Sequence, residues 1–104
     1  MKKQTVYLAG KITDDPDYKQ KFQEAAHRIE GRSFVVLSPA ILPEEGFGYE
    51  AYIRMSSAML DECDIVCFLP DWEESRGAVH ERSRAEVLGK IIVSFEGLEK
   101  CLRR

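Results

Sequence analysis

The chain is poor in the features that mark several large classes of protein. Cysteine is scarce: Cys63, Cys67 and Cys101 are the three, and neither Cys-x-x-Cys nor His-x-x-x-His spacing occurs. An odd count excludes complete internal pairing, and with His27 and His80 isolated in sequence no metal site is expected. Cys63 and Cys67 are expected as small buried hydrophobes. Long apolar runs are missing as well. Uncharged stretches such as Ser33–Leu42 and Ile65–Pro70 fall far below the ~20 apolar residues that span a bilayer. There is no basic excess, since 15 Lys and Arg face 18 Asp and Glu for a formal charge of −3; a nucleic-acid-binding stripe is not expected. Behind Met1-Lys2-Lys3 comes a short strand-like run and then Lys11, without the roughly 7–15-residue apolar core of a signal peptide. A cytoplasmic protein is expected. What is present is a 44 % hydrophobic and 32 % charged composition over 104 residues. That describes one globular domain, residues 1–104, able to bury roughly two thirds of its unfolded surface.

The chain alternates between strand and helix patterns. Thr5-Val6-Tyr7-Leu8-Ala9-Gly10 is a β-branched and aromatic run ended by glycine, hence a strand. Asp14-Asp15-Pro16-Asp17 offers capping acids and a proline to open a helix. Phe22, Ala25, Ala26 and Ile29 then repeat on one helical face, and Gly31 stops it. Phe34-Val35-Val36-Leu37 is a second strand, followed by a Pro-, Gly- and Glu-rich loop from Leu42 to Gly48. Tyr49 to Glu62 is helical, with Tyr52, Met55, Met59 and Glu62 roughly aligned. Asp64 to Leu69 is a third strand, Asp71 to Gly77 a loop, and Ala78 to Leu88 a helix stopped by Gly89. Ile91 to Phe95 is the fourth strand, with a short helix over Leu98 to Leu102. Strands apolar throughout are those of a parallel sheet buried on both faces, joined by right-handed crossovers. One strand per roughly 26 residues matches β-α units. The expected fold is α/β: a small Rossmann-like (flavodoxin-like), doubly wound parallel sheet of four to five strands in a three-layer sandwich. Ligands of such sheets bind beyond the carboxyl ends of the strands, which selects the loops Ala9–Thr13, Ser38–Gly48 and Pro70–Gly77.

The third loop carries the most chemistry. Ser75, Arg76 and Gly77 place a hydroxyl, a guanidinium and free backbone N–H groups at a helix start, where anions are favoured. The same residues also read as an ordinary cap with an arginine in solvent. Taking Ala78 as zero and about 100° per residue, Glu81 falls near 300°, between Leu88 near 280° and Ala85 near 340°. Glu81 on that inward stripe would look into the cleft, where a carboxylate can attack an electrophilic sugar carbon. Its other reading is a first-turn acid that steadies the helix. In the first loop Gly10 could admit a ligand to the backbone and Lys11 could meet an anion, or both could be turn chemistry. The P-loop pattern is absent. Trp72 either covers the core edge or stacks on a base.

Taken in order, Val6-Tyr7-Leu8-Ala9-Gly10-Lys11-Ile12-Thr13, Tyr52-Ile53-Arg54, Cys63-Asp64, Leu69-Pro70-x-Trp72-x-x-Ser75-x-Gly77-Ala78-x-x-Glu81 and Ala85-x-x-Leu88-Gly89 resemble the nucleoside 2-deoxyribosyltransferase superfamily, most of all its short DUF4406-type branch. The resemblance runs over nearly the whole chain. It implies attack by Glu81 on the anomeric carbon of a deoxyribose in a nucleoside or nucleotide, with no cofactor. It places Ser75 at the 5′ end of the substrate, where serine marks relatives that hydrolyse deoxynucleoside 5′-monophosphates. Tyr7, Ala9, Gly10 and Ile12 match the segment lining the sugar and base pocket. A homodimer or higher homo-oligomer is also implied. One position departs from the pattern: the acid/base aspartate eight residues before Asp64 is replaced by Ser56. Loss of such a group typically forfeits ~10²–10⁴ in rate. Glu50, Asp61 and Asp71 are the acids that could substitute, and a nucleotide-binding module without turnover is the rival reading.

Overall fold

The computed structural model describes residues 3–31 and 33–102. Four strands, β1 (Gln4–Ala9), β2 (Phe34–Leu37), β3 (Ile65–Phe68) and β4 (Ile91–Ser94), form one parallel sheet in the order β2-β1-β3-β4. The register runs Tyr7↔Leu37 between β1 and β2, Ala9↔Phe68 between β1 and β3, and Phe68↔Ser94 between β3 and β4. The helices are α1 (Tyr18–Ile29), α2 (Tyr49–Asp61), α3 (Arg76–Val87) and α4 (Phe95–Leu102), with short 3-10 turns at Pro39–Ile41 and Trp72–Glu74.

Alternation along the central strands explains the layers. Val6 and Leu8 of β1 and Ile65 and Cys67 of β3 point to one face, where Phe22, Ala25 and Ile29 of α1 and Phe95 and Leu98 of α4 cover them. Tyr7 and Ala9 of β1 and Val66 and Phe68 of β3 point to the other, against Leu60 of α2 and Ala78 and Ala85 of α3. Residues 6–9 are wholly inaccessible to solvent, and each large apolar side chain so buried contributes roughly 1.5–3 kcal/mol. Burial also pushes the Cys67 thiol up to about 12, so this cysteine packs as a hydrophobe.

The outer strands differ from the expectation of burial throughout. β2 and β4 have no fully buried residue, and Val35 and Ile91 are exposed, because each lies at a sheet edge with one neighbour. β4 ends at Ser94, whose hydroxyl accepts from the Gly97 N–H at 3.0 Å and turns Phe95 into the start of α4. On α1 the apolar face is as expected, but Asp17 makes no side-chain cap; Asp15 instead accepts from the Asp17 N–H at 3.0 Å. The inner face of α2 is Ser56, Ser57 and Leu60, not the stripe through Tyr52, Met55 and Glu62. On α3 it is Ala78, Glu81 and Ala85, while Leu88 lies beyond the helix and is exposed. Gly89, at φ +69°, supplies the left-handed turn that sends the chain back to β4.

Because β1 pairs with β2 on one side and β3 on the other, the crossovers leave in opposite directions. The crevice of a doubly wound sheet opens where they part, beyond the ends of β1 and β3.

Candidate active site

Beyond those strand ends lies a cleft of about 350 Å³, within the roughly 300–1,000 Å³ range of small-molecule sites. All three loops selected from the sequence reach it, through Gly10, Ile12, Leu42, Glu44, Ser75 and Gly77, and α2 adds a wall of Tyr49, Tyr52, Ile53 and Ser56. Glu81 lines the cleft and is only 5 % exposed. Its helix places it there: Ser75 accepts from the Ala78 N–H at 3.1 Å and fixes the start of α3, so Glu81 emerges in the second turn on the face against the sheet.

Beneath Glu81 stands Tyr7, fully buried on β1, whose hydroxyl donates to Glu81 Oε2. Burial pushes the Glu81 carboxyl up to about 7, although the hydrogen bond from Tyr7 and then the polar Ser56 hydroxyl beside it pull the other way. Burial, and then the neighbouring Glu81 charge, hold the Tyr7 phenol well above its ordinary value. Tyr7 therefore stays a hydrogen-bond donor at any ordinary pH and fixes one carboxylate oxygen, leaving the other for chemistry. Ser56, 5 % exposed on α2, lines the cleft beside this pair and donates to the Ile53 carbonyl at 3.2 Å.

The remaining sequence-selected residues divide. Gly10, Ile12, Ser75 and Gly77 line the cleft; Ala9 is buried below it beside Tyr7. Lys11, Trp72 and Arg76 do not line it. The Lys11 backbone N–H donates to Asp71 Oδ1 at 3.1 Å, and its ammonium reaches Glu74 at 3.4 Å, which is turn chemistry. Trp72 packs edge-on against Phe68 at 5.1 Å with the Arg82 guanidinium 5.4 Å from its ring, so it covers the core edge. Arg76 is exposed and lies over the ring of Tyr49, a residue of the cleft wall, at 5.9 Å. Gly10 serves a close approach within the protein: a Cβ there would meet Leu69 Cδ1 at 2.9 Å and Asp71 Oδ1 at 3.2 Å.

None of the three acids weighed as substitutes for the missing aspartate lines the cleft. Asp61 is held in a fork by Arg84 through two bonds of 2.6 Å, which keep its carboxyl below the usual range. Asp71 clamps the first loop to the third: Lys21 donates to Asp71, to Asp15 and to the Lys11 carbonyl, each at 2.6 Å. Glu50 is exposed in the first turn of α2. Among the described residues the carboxylates that do line the cleft are Glu81 and Glu44, and Glu44 was not singled out from the sequence. Tyr18, Tyr49 and Tyr52 were also missed as lining residues. All three lie in the first turn of a helix, and Tyr52 was read only as part of a helical stripe. No group of three His, Cys, Asp or Glu side chains among the described residues is placed to hold a metal ion. No helix among them is long and apolar enough to cross a membrane.

This fold has a counterpart among solved structures. The 2-desoxiribosyltransferase from Leishmania mexicana matches with a TM-score of 0.70 at 22 % identity, over 88 % of this chain and 63 % of that one. The fold is thus 2-deoxyribosyltransferase-like, and the chain spans 63 % of that relative's length. The family model described as "Domain of unknown function (DUF4406)" matches residues 4–94, and the chain belongs to that family. No curated protein sequence matches it.

Proposed function

We propose that the protein cleaves the N-glycosidic bond of a deoxynucleoside 5′-monophosphate, with Glu81 as nucleophile and water or a second base as acceptor. The observation that carries this reading is the buried Glu81 at the cleft, one oxygen held by the Tyr7 hydroxyl. In the first step a Glu81 oxygen bonds to the anomeric carbon as the C–N bond breaks. The electron pair leaves on the base, which takes up a proton. In the second step the acceptor bonds to the same carbon, gives up its proton, and returns the electron pair to Glu81. Desolvation makes the carboxylate a stronger nucleophile than one in water.

The 5′-phosphate reading rests on the start of α3. Ser75 and Gly77 both line the cleft at that terminus, where backbone N–H groups and the helix dipole favour an anion, and the exposed Arg76 adds charge beside Tyr49 at the rim. A second reading, a nucleotide-binding module without turnover, is favoured by one observation: Ser56 stands where the resemblance expects an acid, and its hydroxyl is bonded to the Ile53 carbonyl. The assembly we propose is a homodimer or higher homo-oligomer, to be read from the mass in solution.

The test is incubation with deoxynucleosides and their 5′-monophosphates, followed by chromatography for free base. Release that prefers monophosphates and is lost in Glu81→Gln supports the enzyme. A nucleotide-induced rise in melting temperature without base release supports the binding module. No binding and no release refutes both.

A further inference from the structure

We propose that Glu44 is the acid/base of this site, doing from the second loop what Ser56 cannot do from α2; this rests on the glycosidase reading of Glu81. The reaction needs one proton delivered to the leaving base and one removed from the attacking water. A serine hydroxyl does neither near neutral pH, and Ser56 already donates to a carbonyl. Asp61 and Asp71 are locked in ion pairs away from the cleft. Among the described residues Glu44 is the carboxylate that lines the cleft besides Glu81.

The two carboxylates occupy complementary places. Glu81 is buried on α3, whereas Glu44 is exposed on the loop between the Pro39–Ile41 turn and α2. That exposure suits a group that must exchange protons with solvent between turnovers.

The loop is also tied down around Glu44. The Lys19 ammonium donates to the Ala40 and Leu42 carbonyls at 3.1 and 3.2 Å. The Tyr52 hydroxyl donates to the carbonyl of Pro43, the residue next to Glu44, at 2.8 Å. On the far side of Glu44, the Phe47 ring stands edge-on to Tyr52 with centroids 5.7 Å apart. Tyr18, which lines the same cleft, has its phenol pushed up by burial first and by the Glu44 charge second, so the carboxylate is electrostatically close to that wall. Three anchors from two helices therefore hold an acid over the cleft.

Protonated Glu44 gives its proton to the base as the C–N bond breaks and Glu81 bonds to the sugar. Ionised Glu44 then takes a proton from water as the water oxygen bonds to that carbon and the ester to Glu81 breaks. Glu44 ends protonated, and the net change is one water consumed for one base and one free sugar phosphate.

The experiment compares wild type, Glu44→Gln, Glu44→Asp and Glu81→Gln on two substrates in single turnover. One is an ordinary purine deoxynucleoside 5′-monophosphate. The other is its 7-methylpurine analogue, whose base departs uncharged and needs no proton. Glu44→Gln is expected to slow release of the ordinary base by about 10²–10⁴-fold and release of the methylated base by less than about tenfold. Glu44→Asp, which keeps the carboxyl, is expected to recover part of the loss. Equal losses on both substrates, or ordinary-base release within about threefold of wild type, overturn the assignment of Glu44 while leaving that of Glu81 intact. No release by wild type, or full release by Glu81→Gln, overturns the glycosidase reading and this assignment with it.

Discussion

Glu81 is a carboxylic acid almost out of reach of water, with a phenol fixed to one of its oxygens. In the unfolded chain it ionises near its ordinary value of 4.5, whereas in the fold it does so near 7. Between those two values the folded state binds the extra proton, so rising pH works against folding. The penalty is absent below about pH 4.5 and complete above about pH 7, reaching on the order of 3 kcal/mol at 1.36 kcal/mol per unit. Glutamine keeps an acceptor for the Tyr7 hydroxyl and has no charge. Glu81→Gln is therefore expected to gain about 3 kcal/mol on wild type between pH 4 and pH 8 in urea unfolding. A pH-independent difference would refute the raised ionisation. Because attack needs the carboxylate, kcat/KM on the 7-methylpurine analogue, whose base leaves without a proton, is expected to rise with pH through about 7. Tyr7→Phe removes a bond that favours the ionised form, so this limb should move to higher pH; an unmoved limb would mean the phenol does not set it. At this scale the sequence was informative about Glu81, whose helical angle put it beside Ala85, but not about its partner. That Tyr7 and Glu81 meet depends on packing α3 over β1, 74 positions apart.

The elements around the site are joined by one clamp more than by their own propensities. Lys21 of α1 holds the Lys11 carbonyl and the carboxylates of Asp15 and Asp71, and Asp71 in turn holds the Lys11 N–H. Burial alone would lower the Lys21 ammonium, but its bonds to Asp15 and Asp71 outweigh that and raise it. Gly10 lets this happen, since its backbone runs directly over Leu69. Leu69 is 2 % exposed, so it has little freedom to withdraw from a new methyl group. Gly10→Ala is accordingly expected to cost about 1–3 kcal/mol by overpacking, measured by thermal or urea unfolding; a neutral result would show that the first loop yields. The sequence marked Gly10 either for an approaching ligand or for turn chemistry, and it both lines the cleft and runs over Leu69. Local patterns also located the four strands and four α-helices of the described residues, but misplaced the junction at Phe95, where the Ser94 cap redirects an apolar run from strand to helix. They misread α2 as well, because its inward face carries two serines where an apolar stripe was sought.

At the scale of the whole molecule, the sheet separates two cores that share little beyond the strands themselves. Ile29 belongs to the core under α1 and α4, and Leu60 to the core under α2 and α3. Ile29→Val is expected to cost about 0.5–1.5 kcal/mol and Leu60→Ala about 2–5 kcal/mol. The double variant should equal their sum within roughly 0.5 kcal/mol, as for sites without shared partners. Coupling well above that in urea unfolding would mean the sheet transmits strain from one layer to the other.

The sequence by itself determined the α/β class, the parallel sheet and the three loops at its carboxyl edge, and it offered the glutamate of α3 as a candidate for the inward face. Each follows from a rule that acts along the chain: unbroken apolar runs in the strands, the helical period, and the turn preferences of glycine and proline. Only the tertiary structure decided which side chains share the cleft. It joined Glu81 to Tyr7, turned Trp72 against Phe68 and Arg82, placed Asp61 and Asp71 in ion pairs, and brought Glu44 to the cleft. A loop side chain has no period to fix its direction, and its orientation is settled by long-range tethers such as Lys19 to Leu42 and Tyr52 to Pro43.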